Sequence, residues 1–139
     1  MNISEINRWE QAVVHVLNLC GWDLEWCDGK FEHYDAIGAT PKGHECVMEM
    51  KFRHKYYSTK LLEKYKYDRL MEMPYDMVKL YFVNDRKANY LFWLNNIQMP
   101  EPTLINCPDT TLWTKKRIDK EVYMLEEEQA SITNFNISY

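Results

Sequence analysis

A chain of 139 residues, 46% hydrophobic and 27% charged, fits one soluble globular domain and excludes a disordered segment. Folding a chain of this length removes about two-thirds of its unfolded surface from water, so a core forms without disulfide or metal staples. The net charge of −4 excludes a protein that coats nucleic acid indiscriminately, because such binding is driven by clustered Lys and Arg.

In chain order, residues 2–20 predict a helix: Ile6, Trp9, Val13, Val16, Leu17 and Cys20 recur at three- and four-residue steps, Asn2 and Glu5 suit a capping box, and Gly21 ends it. Three strands follow, at 22–27, 31–37 and 44–53, joined by Asp28-Gly29 and by a turn over 38–43. Residues 57–59 offer a cap for a second helix that runs to about Met73, with Pro74 beyond it. Apolar runs at 78–83 and 90–94 flank the turn-like Asn84-Asp85 and are short enough for strands buried on both faces. Pro100, Pro102 and Pro108 predict an irregular connection over 95–109, and Asp119 a cap for a last helix over 119–130. The expected organisation is a single domain over 1–139, with a core at about 4–94 and a carboxy-terminal extension over 95–139.

No apolar run approaches the ~20 residues that cross a bilayer. Glu5, Arg8, Glu10 and His15 interrupt the stretch that a signal peptide needs apolar, so a cytoplasmic, intracellular protein without a membrane partner is expected. Cys20, Cys27, Cys46 and Cys107 form no Cys-x-x-Cys pair and read as reduced, mostly core thiols. Charge is distributed unevenly. Residues 51–69 hold seven basic residues (Lys51, Arg53, Lys55, Lys60, Lys64, Lys66, Arg69) against Glu63 and Asp68, a net +5, which leaves −9 for the rest of a chain whose total is −4. Such a run is either a solvated helix face or a phosphate-binding surface.

The strand at 44–53 carries the chemistry. Its even positions (His44, Cys46, Met48, Met50, Phe52) make an apolar face for the core, and its odd positions place Glu49 beside Lys51 on the other. Asp35, on the preceding strand with His33 on the same face, is expected in the adjacent antiparallel position. Two converging carboxylates oppose each other's ionisation, and a hard divalent cation such as Mg2+ or Mn2+ relieves that repulsion. The pattern acid-x-Lys occurs three times, at Asp28, Glu49 and Asp85, but Asp28 and Asp85 fall in turns, where Asp serves local hydrogen bonding. The alternative for Glu49 and Lys51 is a solvated ion pair on a sheet edge.

Asp35 followed by Glu49-Met50-Lys51 resembles the PD-(D/E)XK nuclease superfamily, whose pattern is an Asp and, ten to thirty residues later, Glu-x-Lys. Tyr34 stands where the name-giving Pro precedes the Asp. The resemblance covers about residues 4–94. It implies a restriction endonuclease-like or Holliday junction resolvase-like α/β fold: an αβββαβ core with a central mixed sheet of four to five strands flanked by helices. It further implies that Asp35, Glu49 and the Met50 carbonyl bind Mg2+ or Mn2+, and that Lys51 assists the water that cleaves a phosphodiester.

By the same resemblance, Glu10 on the first helix is either a further metal ligand or a boundary residue. Lys66 either points to phosphate or snorkels. His33 either bonds the scissile phosphate or pairs with Asp35. The function implied is a metal-dependent deoxyribonuclease acting on duplex or branched DNA, with Arg53, Lys55, Lys60, Lys64 and Lys66 holding the backbone. Homo-oligomers are admitted, because restriction-type and homing members often cut as dimers or tetramers. The alternative is a catalytically inactive nucleic-acid-binding module that keeps the nuclease fold.

Overall fold

The Asn2 side chain accepts from the Glu5 N–H at 2.9 Å and the Glu5 carboxylate from the Asn2 N–H at 2.9 Å, a reciprocal cap that opens α1 (Ile3–Leu19). The computed structural model describes residues 2–28, 33–108 and 116–133. Glu10, Val14 and Leu17 form the buried line of α1. That line is rotated from the expected stripe, so Trp9 stays 51% exposed.

Three antiparallel strands follow, β1 (Asp23–Trp26), β2 (Ala36–Ala39) and β3 (Glu45–Phe52). A side chain at Gly38 would set its Cβ 1.9 Å from the Asp23 carbonyl oxygen, so glycine is what lets β2 lie this close to β1. The chain then leaves the sheet through β4 (Thr59–Glu63) and α2 (Lys64–Met71) and returns as β5 (Val78–Asn84), parallel to β3. β6 (Asn89–Trp93) pairs antiparallel with β5, and β9 (Ser131–Thr133) with β6. The central sheet has the order β1-β2-β3-β5-β6-β9, one strand more than expected. A second sheet, β4-β8-β7, is built from β4, β7 (Thr103–Pro108) and β8 (Arg117–Glu126).

Both faces of the central sheet are buried. Cys46, Met48, Met50, Leu80, Phe82 and Leu91 meet α1 through Val14 and Leu17. Val47, Tyr81, Val83, Tyr90 and Phe92 meet Leu62, Leu70, Tyr123 and Leu125 from β4, α2 and β8. The odd face of β3 is therefore core at Val47, and Glu49 is enclosed on that side instead of lying on an open sheet edge.

Several expected elements are corrected. The helix expected from 57–59 to Met73 is β4 followed by a shorter α2, because Lys60 and Leu62 turn inward at strand spacing and β8 supplies a pairing edge. The irregular connection over 95–109 contains β7, which tolerates Pro108 because it is an edge strand. In place of the helix over 119–130 lie β8 and a 3-10 turn (Glu127–Gln129), since Val122, Tyr123 and Leu125 are buried in the second sheet. All four cysteines are free, but only Cys46 is buried. Part of the strand expected over 31–37 lies outside the described residues. Among the described residues no helix is long and apolar enough to cross a membrane.

Candidate active site

Strands β2 and β3 stop pairing at Ala36 and Met48, and the site is built where they part. The Asp35 N–H still donates to the Met48 carbonyl at 2.8 Å. Beyond it, the Asp35 side chain replaces the missing strand: Oδ2 accepts from the Met50 N–H at 2.8 Å. The Met50 carbonyl projects to the same edge of β3 as its N–H, the edge on which Asp35 lies.

Glu49 lies in mid-strand, 6% exposed, and its Oε1 accepts from the Lys66 Nζ at 2.7 Å. From the other side of the sheet α1 brings in buried Glu10, whose Oε2 accepts from the Trp26 indole N–H at 2.9 Å. The Glu10 charge raises Asp35, and the Glu49 charge raises Glu10, so the three carboxyl groups titrate under one another's influence. Lys51 is half-buried and makes no hydrogen bond or ion pair among the described residues. It lines a recess of about 20 Å³ with Glu49, Arg53, Glu63, Lys66 and Tyr81, enough for roughly one water molecule.

Burial is the first cause of every carboxylate shift here. It pushes Asp35 up to about 6, with the Glu10 charge adding to it, and Glu49 up to about 7 against the opposing pull of Lys66. Glu10 is raised by burial and by Glu49, although the Trp26 hydrogen bond works the other way. Lys51 is held below the ordinary lysine value by burial and then by the charges of Lys66 and Arg53. Burial opposes the charge on Lys66, but the charge and hydrogen bond of Glu49 outweigh it and raise that ammonium.

Carboxylates and a backbone carbonyl form a hard-oxygen donor set, the kind that Mg2+ and Mn2+ take. Glu10, Asp35, Glu49 and Met50 therefore fit such a cation chemically. Their oxygens are not gathered round one point, and among the described residues no group of three or more His, Cys, Asp or Glu is arranged to hold a metal ion. The Lys66 ammonium and the Met50 N–H each hold one of the carboxylate oxygens.

The expected basic surface is only partly present. Lys60 is withdrawn from it: 3% exposed, its Nζ lies 2.7 Å from Asp85 Oδ2, bonds the Tyr57 carbonyl and packs over the Tyr56 and Tyr90 rings. Lys66 is committed to Glu49, and Lys64 pairs with Asp68 at 2.7 Å on the exposed side of α2. Lys55 is exposed and Arg53 half-buried, neither with an ion-pair partner among the described residues. His33 lies against Arg69, Nε2 to Nη1 3.5 Å, and among the described residues makes no ion pair with a carboxylate. Trp26, which orients Glu10, was not picked out from the sequence. Its register neighbour Ala36, beside Asp35, and the need of a part-buried indole N–H for an acceptor are the signals that point to it.

The sequence matches no protein-family model and no curated protein. Among solved structures it is similar to Hjc of Archaeoglobus fulgidus, a Holliday junction resolvase from an archaeal hyperthermophile. The TM-score is 0.56 at 11% identity, over 86% of this chain and 88% of that one. At that identity the likeness establishes the α/β fold.

Proposed function

We propose that the protein is a divalent-metal-dependent endonuclease of the PD-(D/E)XK type that hydrolyses phosphodiester bonds in DNA. The observation that carries this reading is that Asp35, at the parting of β2 and β3, bonds the N–H of Met50, the residue between Glu49 and Lys51, and that the charges of Glu10, Asp35 and Glu49 act on one another there. Glu10, Asp35, Glu49 and the Met50 carbonyl are assigned to hold Mg2+ or Mn2+. When bound, such a cation supplies positive charge to the phosphoryl oxygens and lowers the pKa of bound water. Lys51, which lines a water-sized recess with Glu49, orients the attacking water and takes part in moving its proton. Trp26 fixes the Glu10 carboxylate, and the Met50 N–H fixes that of Asp35.

Branched DNA is the substrate form this reading favours. The fold neighbour is a Holliday junction resolvase, and this compact chain carries no separate specificity domain among its described residues. A second reading, a nucleic-acid-binding module without catalysis, is favoured by the Lys66–Glu49 pair, which occupies a candidate ligand. Labelled duplex, single-stranded, branched and RNA substrates incubated with Mg2+ or Mn2+, with and without chelator, separate the two. Chelator-sensitive cleavage of DNA supports the nuclease, and binding without cleavage supports the module.

A further inference from the structure

A groove of about 260 Å³ opens beside the candidate site, where the parallel strands β3 and β5 end. One wall is aromatic: the Trp9 ring, half-exposed, lies with its centroid 6.5 Å from that of Phe52. Its lining also includes Asn84, bonded to Asn89, and Arg53, His54 and Arg86, none of these three with a hydrogen bond or ion pair from its side chain among the described residues. Of the two acids that line it, one is neutralised by a cation and the other, Glu5, keeps its charge at the exposed end of α1. Asp85 is buried against Lys60 at 2.7 Å, and Glu5 is committed to the cap of α1. Arg53 and Arg86 thus share the groove lining with an aromatic wall. The larger hollow between α2 and β8, about 460 Å³, differs in that Lys64 and Lys120 there are paired with Asp68 and Glu63, and Glu121 adds a further negative charge.

Arg53 lines both the groove and the recess that holds Glu49 and Lys51. Arg53 is the first residue beyond β3 and stands two positions after Lys51, about 7 Å by the rise of an extended chain. On α1, Trp9 adjoins Glu10, so the aromatic wall and a candidate metal ligand are carried on consecutive residues.

We propose that this groove binds an unpaired nucleotide of a DNA strand next to the cleavage position, its base stacked on Trp9 and its phosphate held by Arg53 and Arg86, with His54 at the rim. An exposed aromatic face beside cations is what single-stranded DNA takes, because every base has a stacking face and every phosphate a charge. A base within a duplex is already stacked on its neighbours and has no face to offer. This site rests on the nuclease reading for its place along the substrate, and it narrows the substrate to DNA with a frayed, flapped or branched end.

The test is binding in chelator, which needs no metal and no turnover. Fluorescein-labelled oligothymidylate and a blunt duplex are titrated with the wild-type protein, Trp9→Ala, Trp9→Phe and the double change Arg53→Ala, Arg86→Ala, each checked by thermal melting. Trp9→Ala is expected to weaken oligothymidylate binding about tenfold with little change on the duplex, and Trp9→Phe to restore most of it. The double arginine change should shallow the salt dependence on the single strand by roughly 1.4, at about 0.7 for each phosphate contact. Unaltered single-strand affinity in Trp9→Ala, an equal loss on duplex, or no oligothymidylate binding by the wild type overturns the groove. Cleavage scored in parallel keeps the two readings separate. Metal-dependent cutting without a Trp9 effect refutes the groove alone, whereas a Trp9 effect without cutting refutes the nuclease alone.

Discussion

The Asp35 carboxylate bonds the Met50 N–H at 2.8 Å, the peptide group that separates the Glu49 and Lys51 side chains. A side chain thereby closes the hydrogen-bond ladder where β2 ends. One residue of the candidate site thus holds the backbone that carries two others.

Asp35→Ala leaves that N–H buried and unbonded, at a cost of about 1–3 kcal/mol. Asp35→Asn keeps an acceptor oxygen and is expected to lose less than half as much. Urea denaturation of the two variants checks this, and equal losses would show that the hydrogen bond contributes nothing to stability.

Asp35 at about 6 and Glu49 at about 7 are raised in the folded protein from ordinary values near 4. Between about pH 4 and pH 7 the folded state therefore binds more protons than the unfolded one, so stability falls as pH rises through that window. In chelator the protein is expected to melt lower at pH 7.5 than at pH 5, by a free energy on the order of a few kcal/mol. Glu49→Gln should flatten the profile, and a divalent cation should recover part of the loss at pH 7.5. A stability that rises from pH 5 to 7.5 in the wild type and not in Glu49→Gln would contradict the sign.

Lys60 and Asp85, both nearly inaccessible and 2.7 Å apart, form a buried pair in which Lys60 is the only ion-pair partner of Asp85 among the described residues, the Lys87 and Ala88 N–H groups bonding its other oxygen. Lys60→Ala should cost about 3–5 kcal/mol, because Asp85 is left as an uncompensated buried charge. A scan of melting temperatures across Lys55→Ala, Lys60→Ala and Lys64→Ala should single out Lys60, and a Lys60→Ala protein of wild-type stability would show that the pair is dispensable.

The Lys66 ammonium supplies the positive charge that Glu49 meets in the absence of metal. Losing Lys66 also removes the charge and hydrogen bond that hold Glu49 down, so the comparison is made at a pH high enough to ionise Glu49 in the variant, where Lys66→Met is expected to bind Mn2+ several-fold more tightly than the wild type by calorimetric titration. Unchanged or weaker affinity would make Lys66 a neighbour of the metal site instead of a competitor for it.

The first half of the fold was legible because its signals are local. Asn2 with Glu5 caps α1, Gly21 ends it, and β1, β3, β5 and β6 fall close to where apolar runs and turns predict. From Thr59 onward the deciding contacts are remote. β4 is a strand because β8 pairs with it, Glu63 opposite Val122, and five residues carry too short an alternation to announce that. The basic run over 51–69 suggested a continuous phosphate surface, yet Lys60 is drawn inside by Asp85, which comes 25 residues later. Asp35, Glu49 and Lys51 stood out because carboxylates and a lysine on neighbouring apolar strands are costly without a purpose. Glu10 was harder to place: Trp9 counted as core in the periodicity, whereas the fold turns Trp9 outward and Glu10 in.

Single-turnover cleavage of labelled branched DNA, read beside Mn2+ titration of the same samples, tests most directly whether Glu49 holds the metal while Lys51 serves the water. Wild-type protein should cut and bind Mn2+, and Glu49→Gln should lose both. Lys51→Ala should bind Mn2+ as the wild type does and cut slower by orders of magnitude. Cleavage by Glu49→Gln at the wild-type rate, or a loss of Mn2+ affinity in Lys51→Ala equal to that in Glu49→Gln, would contradict this assignment of roles.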